Sequence, residues 1–268
     1  MHDPAPTATT TLTLHRQRLA LGMIALVLTA LLMAGPSLAA DDTAAQEEVF
    51  PEAFDDGFEE EFDQTEIVIA DPLEPFNRAM FMVNDKLLLY VLKPVSKTYS
   101  TVVPWEIRTV LGNFFYNLAA PARLVNNLLQ GKVNAAGAEF GRFFINTTVG
   151  VLGFGDPAAT FPRLNPPVED MGQTFGVWGM GHGFYLVLPL LGPSSLRDGA
   201  GSIGDTFLDP LTYLDIKWYE RLAIVGYREF ANYAPNAGEY EKFKEMSLDP
   251  YTAMRNAYIQ YRARKVAE

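Results

Sequence analysis

Asp-Pro occurs four times beyond the first 70 residues, at Asp71-Pro72, Asp156-Pro157, Asp209-Pro210 and Asp249-Pro250, and this punctuation limits what the chain can fold into. Asp is a strong N-cap, and proline sits without loss in a first helical turn, where no N–H is missed. Each step therefore predicts a helix start. At the first, Glu74 stands three residues after Asp71, as in a capping box, and Pro75 can delay the helix by a turn.

The helix that follows places Phe76, Met80, Val83, Leu87 and Tyr90 or Val91 on one face, until Lys93-Pro94 ends it. Pro104 opens a second helix carrying Ile107, Val110, Leu111, Phe114 and Leu118. Pro121 opens a third, with Leu124, Val125, Leu128 and Leu129, closed by Gly131 as a C-cap. A fourth runs from about Lys132 to Val149 with Val133, Ala136, Phe140, Phe143 and Phe144. Within it, Gly137 and Gly141 form a G-x-x-x-G pair of the kind that admits a second backbone. From Gly150 to Gly192 the chain is rich in glycine, proline and aromatics, which predicts irregular structure, with Tyr185 to Leu188 as a short strand or hairpin arm. Helical periodicity returns near Leu211 to Phe230 and from Asp249 to the end. The fold class is mainly α. The helices are greasy over wide faces, yet after residue 40 no apolar run reaches the roughly 18 to 20 residues of a membrane span, nor is there a succession of alternating strands for an outer-membrane barrel.

Residues 1–39 read as a signal peptide. Arg16 and Arg18 flank an apolar stretch from Leu19 to Ala34, Pro36 ends it, and Ser37-Leu38-Ala39 offers a cleavage site. The net charge of -11 belongs almost wholly to the next segment. Asp41 to Glu66 holds 12 acidic residues and no basic one, whereas Ile67 to Glu268 balances 19 against 19. Residues 40–66 therefore read as a disordered acidic arm, with Phe50, Phe54, Phe58 and Phe62 at helical spacing, ahead of one domain over residues 67–265. A neutral body with an acidic arm offers no field for nucleic acid. The sequence contains no cysteine, so disulfides and an acylated N-terminal thiol are excluded from its chemistry.

A catalytic set is not found. His182 is the single histidine beyond the leader, lies in Gly179-Met180-Gly181-His182-Gly183, and no G-x-S-x-G elbow accompanies it. The three glycines there lack the strand before and helix after that a dinucleotide loop needs. One histidine, no cysteine and no H-E-x-x-H leave no metal site, and no cofactor is expected. Glu169-Asp170 reads as a solvated turn.

The run Asp71-Pro72-Leu73-Glu74-Pro75-Phe76-Asn77-Arg78, with Asn126-Asn127-Leu128-Leu129-Gln130-Gly131, Arg142-Phe143-Phe144-Ile145-Asn146-Thr147-Thr148, Glu169-Asp170-Met171-Gly172-Gln173-Thr174 and Leu196-Arg197-Asp198, resembles the MlaA (VacJ) family of outer-membrane phospholipid-transport proteins. The resemblance covers about Asp71 to Arg262. It implies a ring-like bundle of amphipathic helices in the periplasm-facing leaflet of the outer membrane, beside a porin trimer. It also implies an amphipathic channel that takes stray phospholipid from the outer leaflet to a soluble periplasmic carrier. Many relatives are lipoproteins, which a chain without cysteine does not match.

A lipid conduit needs a polar track, because a charged head group in bare hydrocarbon is costly. The residues expected to form it are Asn77, Arg78, Asn84, Asp85, Arg142, Asn146 and Arg197; helix capping or internal ion pairing is the alternative use of each. A mobile gate is expected around Gly172, Gly176, Trp178, Gly179, Gly181, Gly183 and Tyr185, where glycines give backbone freedom and aromatics favour the lipid interface. Two other readings stand beside the conduit: a brace for a porin that carries no lipid, and a lipid hydrolase using Ser194 or Ser195.

Overall fold

The computed structural model describes residues 70–268, so the leader, the acidic arm and its phenylalanines lie outside the described residues. The described body is mainly α-helical. Helix α1 is Glu74–Leu87, with Pro75 in its first turn. It does not end at Lys93-Pro94 as expected. A π-helical turn, Leu88–Leu92, carries the chain into α2, Lys93–Val102, and the Lys93 N–H bonds to the Leu88 carbonyl. The wider turn shifts the hydrogen-bond ladder by one residue, so Pro94 falls in a first turn where its missing N–H costs little.

Helices α3 (Trp105–Leu118), α4 (Ala120–Leu129) and α5 (Val133–Thr148) follow at the predicted places. Gly131 ends α4 with φ +76°, as a left-handed C-cap requires. Asp156-Pro157 and Asp209-Pro210 begin single 3-10 turns, Pro157–Thr160 and Pro210–Tyr213, rather than full helices. The glycine-rich stretch holds more order than its composition suggests. It contains α6, Met171–Val177, capped by the Asp170 carboxylate on the Gln173 N–H, and an antiparallel hairpin of β1 (Tyr185–Leu188) and β2 (Gly192–Ser195). In this hairpin Tyr185 faces Ser195 and Leu188 faces Gly192.

Helix α7, Leu196–Leu208, was not foreseen, because three glycines within it obscure its periodicity. Helices α8 (Trp218–Tyr233), α9 (Glu239–Met246) and α10 (Pro250–Ala267) complete the chain. Helix α6 packs along α7, α4 along α5, and α10 crosses α6 and β2.

The faces turned inward are not the apolar ones. In α1 the buried residues are Asn77 and Asn84, while Phe76 and Val83 are half exposed. In α4 they are Ala120, Arg123, Asn126 and Asn127, with Leu128 and Leu129 outside. In α5 Ala136, Glu139 and Asn146 point in, and Val133, Phe140 and Phe144 point out. Among the described residues, seventeen buried side chains are polar or charged and nine are hydrophobic, an inversion of the usual distribution in water.

The glycine pair in α5 does not admit a second backbone. A Cβ at Gly137 would meet nothing within 4 Å, and one at Gly141 would meet only the Leu164 side chain. Gly137→Ala is therefore expected to stabilise the protein by about 0.5–1 kcal/mol, the helical gain of alanine over glycine. Gly131→Ala, at φ +76°, is expected to destabilise it by about 1 kcal/mol. Thermal unfolding of the two variants in one detergent checks both signs.

Candidate functional site

Helices α6, α7 and α10 meet around one guanidinium. Arg262 of α10 donates to both carboxylate oxygens of Asp170 (2.6 and 2.8 Å) and to both of Asp198 (2.9 and 3.0 Å). Each carboxylate is also tied to a helix start, Asp170 as the N-cap of α6 and Asp198 in the first turn of α7, where Ser195 Oγ accepts its N–H. Tyr258 donates its hydroxyl to Asp198 at 2.7 Å, and Arg197 Nε lies 3.0 Å from the same carboxylate. Glu169-Asp170 is therefore not a solvated turn. Glu169 is buried, ion-paired to Lys132 at 2.7 Å and hydrogen-bonded by Gln130.

Burial alone would raise the Asp198 carboxyl, but the Arg262, Tyr258 and Arg197 donors outweigh it and hold it at about 2. Asp170 is lowered on the same balance, burial against Arg262 and the Gln173 N–H. Asp205, which holds the Met171 N–H and the Asn126 amide, departs upward because burial dominates. A carboxylate held below its unfolded value of about 3.9 contributes stability that is complete above that pH and lost as pH falls through the folded value. The melting temperature is accordingly expected to drop steeply from about pH 4 towards pH 2. In Asp198→Asn, which starts from a lower melting temperature, that acid drop is expected to be shallower; an equally steep drop would show that Asp198 is not its source.

The residues expected on the polar track fall into four places. Asn77 and Asn84 face the hairpin. Asn77 Nδ2 donates to the Tyr185 carbonyl (2.9 Å) while its Oδ1 accepts the Val187 N–H (2.9 Å), and Asn84 does the same with the Leu188 carbonyl (2.9 Å) and the Leu190 N–H (2.8 Å). Arg78 and Asp85, on the same helix, reach the C-terminal elements: Arg78 pairs with Asp249 (2.8 Å) and Glu74 (2.7 Å), and Asp85 receives Tyr240 and Lys244. Arg142 and Asn146 of α5 share Asp156, and Arg142 also reaches Asn165. Arg197 is paired with Asp198, its neighbour in sequence.

The residues expected to gate divide in the same way. Gly172 and Gly176 lie in α6 under close contact: a Cβ would stand 2.5 Å from Asp198 Oδ1 at the first and 2.5 Å from Val266 Cγ2 at the second. Trp178 is exposed and donates its indole N–H to the Leu129 carbonyl (3.1 Å). Gly179 (φ +88°) and Gly181 have open space beside them, and Gly183 (φ +71°) abuts Leu196. Tyr185 is fully buried among Tyr251 and Tyr258. His182 sits between these glycines, lowered by burial and by Arg197.

Sequence reasoning missed Arg262, Asp198, Asp170, Asp205 and the pair formed by Arg123 and Glu139. Arg123 is buried between Glu139 and the ring of Tyr116, its guanidinium 3.8 Å from the ring centroid. One available signal was that Asp170 and Asp198 lie in the quoted motifs. No group of three metal-ligating side chains occurs among the described residues.

The structure so far defines a class by its packing: a mainly helical body with amides and ion pairs inside and many aliphatic and aromatic side chains outside. Comparison with known proteins narrows the class. Residues 69–265 match the family described as MlaA lipoprotein. The intermembrane phospholipid transport system lipoprotein MlaA of Escherichia coli (strain K12) is 36% identical over 202 residues, covering 71% of this chain and 76% of that protein. The protein of the same name from Haemophilus influenzae is 32% identical over 194 residues, with the same coverage. A solved structure described as the structural basis for maintenance of bacterial outer membrane lipid asymmetry superposes with a TM-score of 0.63 at 35% identity, covering 74% of this chain and 99% of that one. The chain belongs to the MlaA family.

Proposed function

We propose that the protein is a non-enzymatic phospholipid conduit that helps keep the outer membrane asymmetric. Its helices lie as a ring-like bundle in the periplasm-facing leaflet, beside a porin trimer. Phospholipid that has strayed into the outer leaflet passes through an amphipathic channel to a soluble periplasmic carrier. The signal peptide is cleaved after Ala39, and the protein holds its place by its apolar surface rather than by an acylated cysteine.

The observation that carries this reading is the inverted packing. Tyr90, Val102, Trp105, Phe140, Phe144, Leu190, Leu191, Ile203, Phe207, Trp218 and Leu222 are all more than half exposed. In water so much exposed apolar surface is a liability, and in a lipid leaflet it is the solvated face. No described helix is long and apolar enough to cross a membrane, which suits a body confined to one leaflet. The seven expected track residues and the glycine segment from Gly172 to Gly192 enter the same proposal as head-group track and gate.

The protein extracted in mild detergent and examined by native mass spectrometry is expected to carry phospholipid. Protein free of phospholipid after such extraction counts for the porin brace instead, and release of fatty acid by purified protein counts for a hydrolase.

A further inference from the structure

Glu139 of α5 is 1% exposed, and its ion pair with Arg123 is one-sided. A guanidinium and a carboxylate commonly meet through two parallel N–H···O bonds, one to each oxygen. Here Arg123 Nε (2.6 Å) and Nη2 both converge on Oε1, and Oε2 meets no donor among the described residues. A bare buried carboxylate oxygen is costly. The same side chain lines a cavity of about 120 Å³ between α4 and α5, whose other lining residues, Ala120, Pro121, Leu124, Phe140 and Phe143, are all apolar. That wall restricts what can serve the oxygen. A buried water ordinarily makes about three hydrogen bonds and a calcium ion takes six or more oxygens, and apolar walls supply neither. An alkylammonium suits the site better: its N–H groups match a carboxylate oxygen, its carbons match Pro121 and Leu124, and phenylalanine rings attract its charge.

Arg142, three residues further along α5, adds the opposite charge, and its Nε meets no acceptor among the described residues. Helical residues three apart are neighbours, about 5–6 Å between Cβ atoms, a span that an ethanolamine phosphate bridges. We propose that this cavity is a binding site for the head group of an ethanolamine phospholipid, with the ammonium on Glu139 Oε2 and the phosphodiester towards Arg142. The acyl chains then run along Phe140 and Phe144, which stack on each other on the outer face of α5 and are both more than half exposed. This apolar rim favours a lipid over a free amine as the occupant. The proposal rests on the reading that this face lies in a lipid leaflet, and adds to it the class of lipid held there. A choline head group has no N–H for Oε2, and a glycerol head group brings no cation.

The test titrates the full-length protein, in mild detergent, with dioleoyl phosphatidylethanolamine, phosphatidylcholine and phosphatidylglycerol, and reads retention by native mass spectrometry. The wild type is expected to hold the ethanolamine lipid about tenfold more tightly than either of the others, the scale of one hydrogen bond to a charged group. Leu124→Phe fills the cavity and leaves the pair of Arg123 and Glu139 intact, so the preference is expected to fall to about twofold or less. Glu139→Gln keeps the shape, removes the charge and is expected to do the same; its melting temperature in the same detergent shows that it is folded, and Leu124→Phe carries the test if it is not. Equal retention of the three lipids by the wild type overturns the site, as does a preference that survives in Leu124→Phe. Free ethanolamine that competes as well as its lipid overturns the lipid as occupant. The conduit reading fails separately, as wild-type protein that holds the ethanolamine lipid selectively yet transfers no phospholipid between vesicles.

Discussion

Replacing Arg262 with alanine is expected to cost about 3–5 kcal/mol, the effect of removing one partner from a buried ionic cluster. The guanidinium sits between two carboxylates and makes hydrogen bonds to all four of their oxygens. Without it, Asp198, which is itself only 7% exposed, keeps Arg197 and Tyr258, but Asp170 loses its cation. Helices α6, α7 and α10 lose their common tie at once. Folded yield and melting temperature in one detergent measure the loss. Arg262→Lys is expected to recover only part, because an ammonium cannot address two carboxylates as a planar fork does. If Arg262→Ala melts with the wild type, the cluster is not what joins these helices.

Gly201→Val is expected to damage the fold on a similar scale. A Cβ at Gly201 would lie 2.3 Å from the Gly172 nitrogen and 2.6 Å from its Cα, so the obstacle is backbone rather than a flexible side chain. Overpacking typically costs 1–3 kcal/mol and more when the neighbour cannot yield; a cost of about 3 kcal/mol or above is expected. Gly137→Val in the open face of α5 serves as the control, and no loss is expected there, because valine is no poorer a helix former than glycine. A melting temperature for Gly201→Val equal to that of Gly137→Val would remove the close crossing of α6 and α7 from the account.

These two positions mark the limit of what the sequence alone conveys. Helices α3, α4 and α10 were legible because their starts are written in proline and Asp-Pro, α5 because its apolar spacing resumes after the Gly131 stop, and β1 because Tyr185 to Leu188 is a short apolar run between glycines and a proline. The direction in which each helix faces was not. Periodicity finds an apolar stripe but does not say whether protein or hydrocarbon lies against it, and in α1 the stripe with Phe76 and Val83 turned outward. The spacing rule failed at Gly137 and Gly141 for a related reason: it registers small residues, while the true close approach, Gly172 to Gly201, joins glycines 29 positions apart. The polar residues chosen as a track were read as a head-group path or as capping and ion-pairing groups, and their partners Asp156, Asp249 and the hairpin backbone lie on other elements, where spacing carries no signal.

The inverted interior has a thermal consequence. Heat capacity rises when apolar surface becomes hydrated and falls when polar surface does. Unfolding this chain uncovers Asn77, Asn126, Asn127, Glu139, Asp198 and Arg262, with few large aliphatic side chains among the newly wetted groups. The two contributions then oppose each other, and the heat-capacity increment should fall well below the roughly 12–15 cal/mol/K per residue of ordinary globular domains. A small increment flattens the stability curve, so resistance to unfolding varies little between cold and warm conditions.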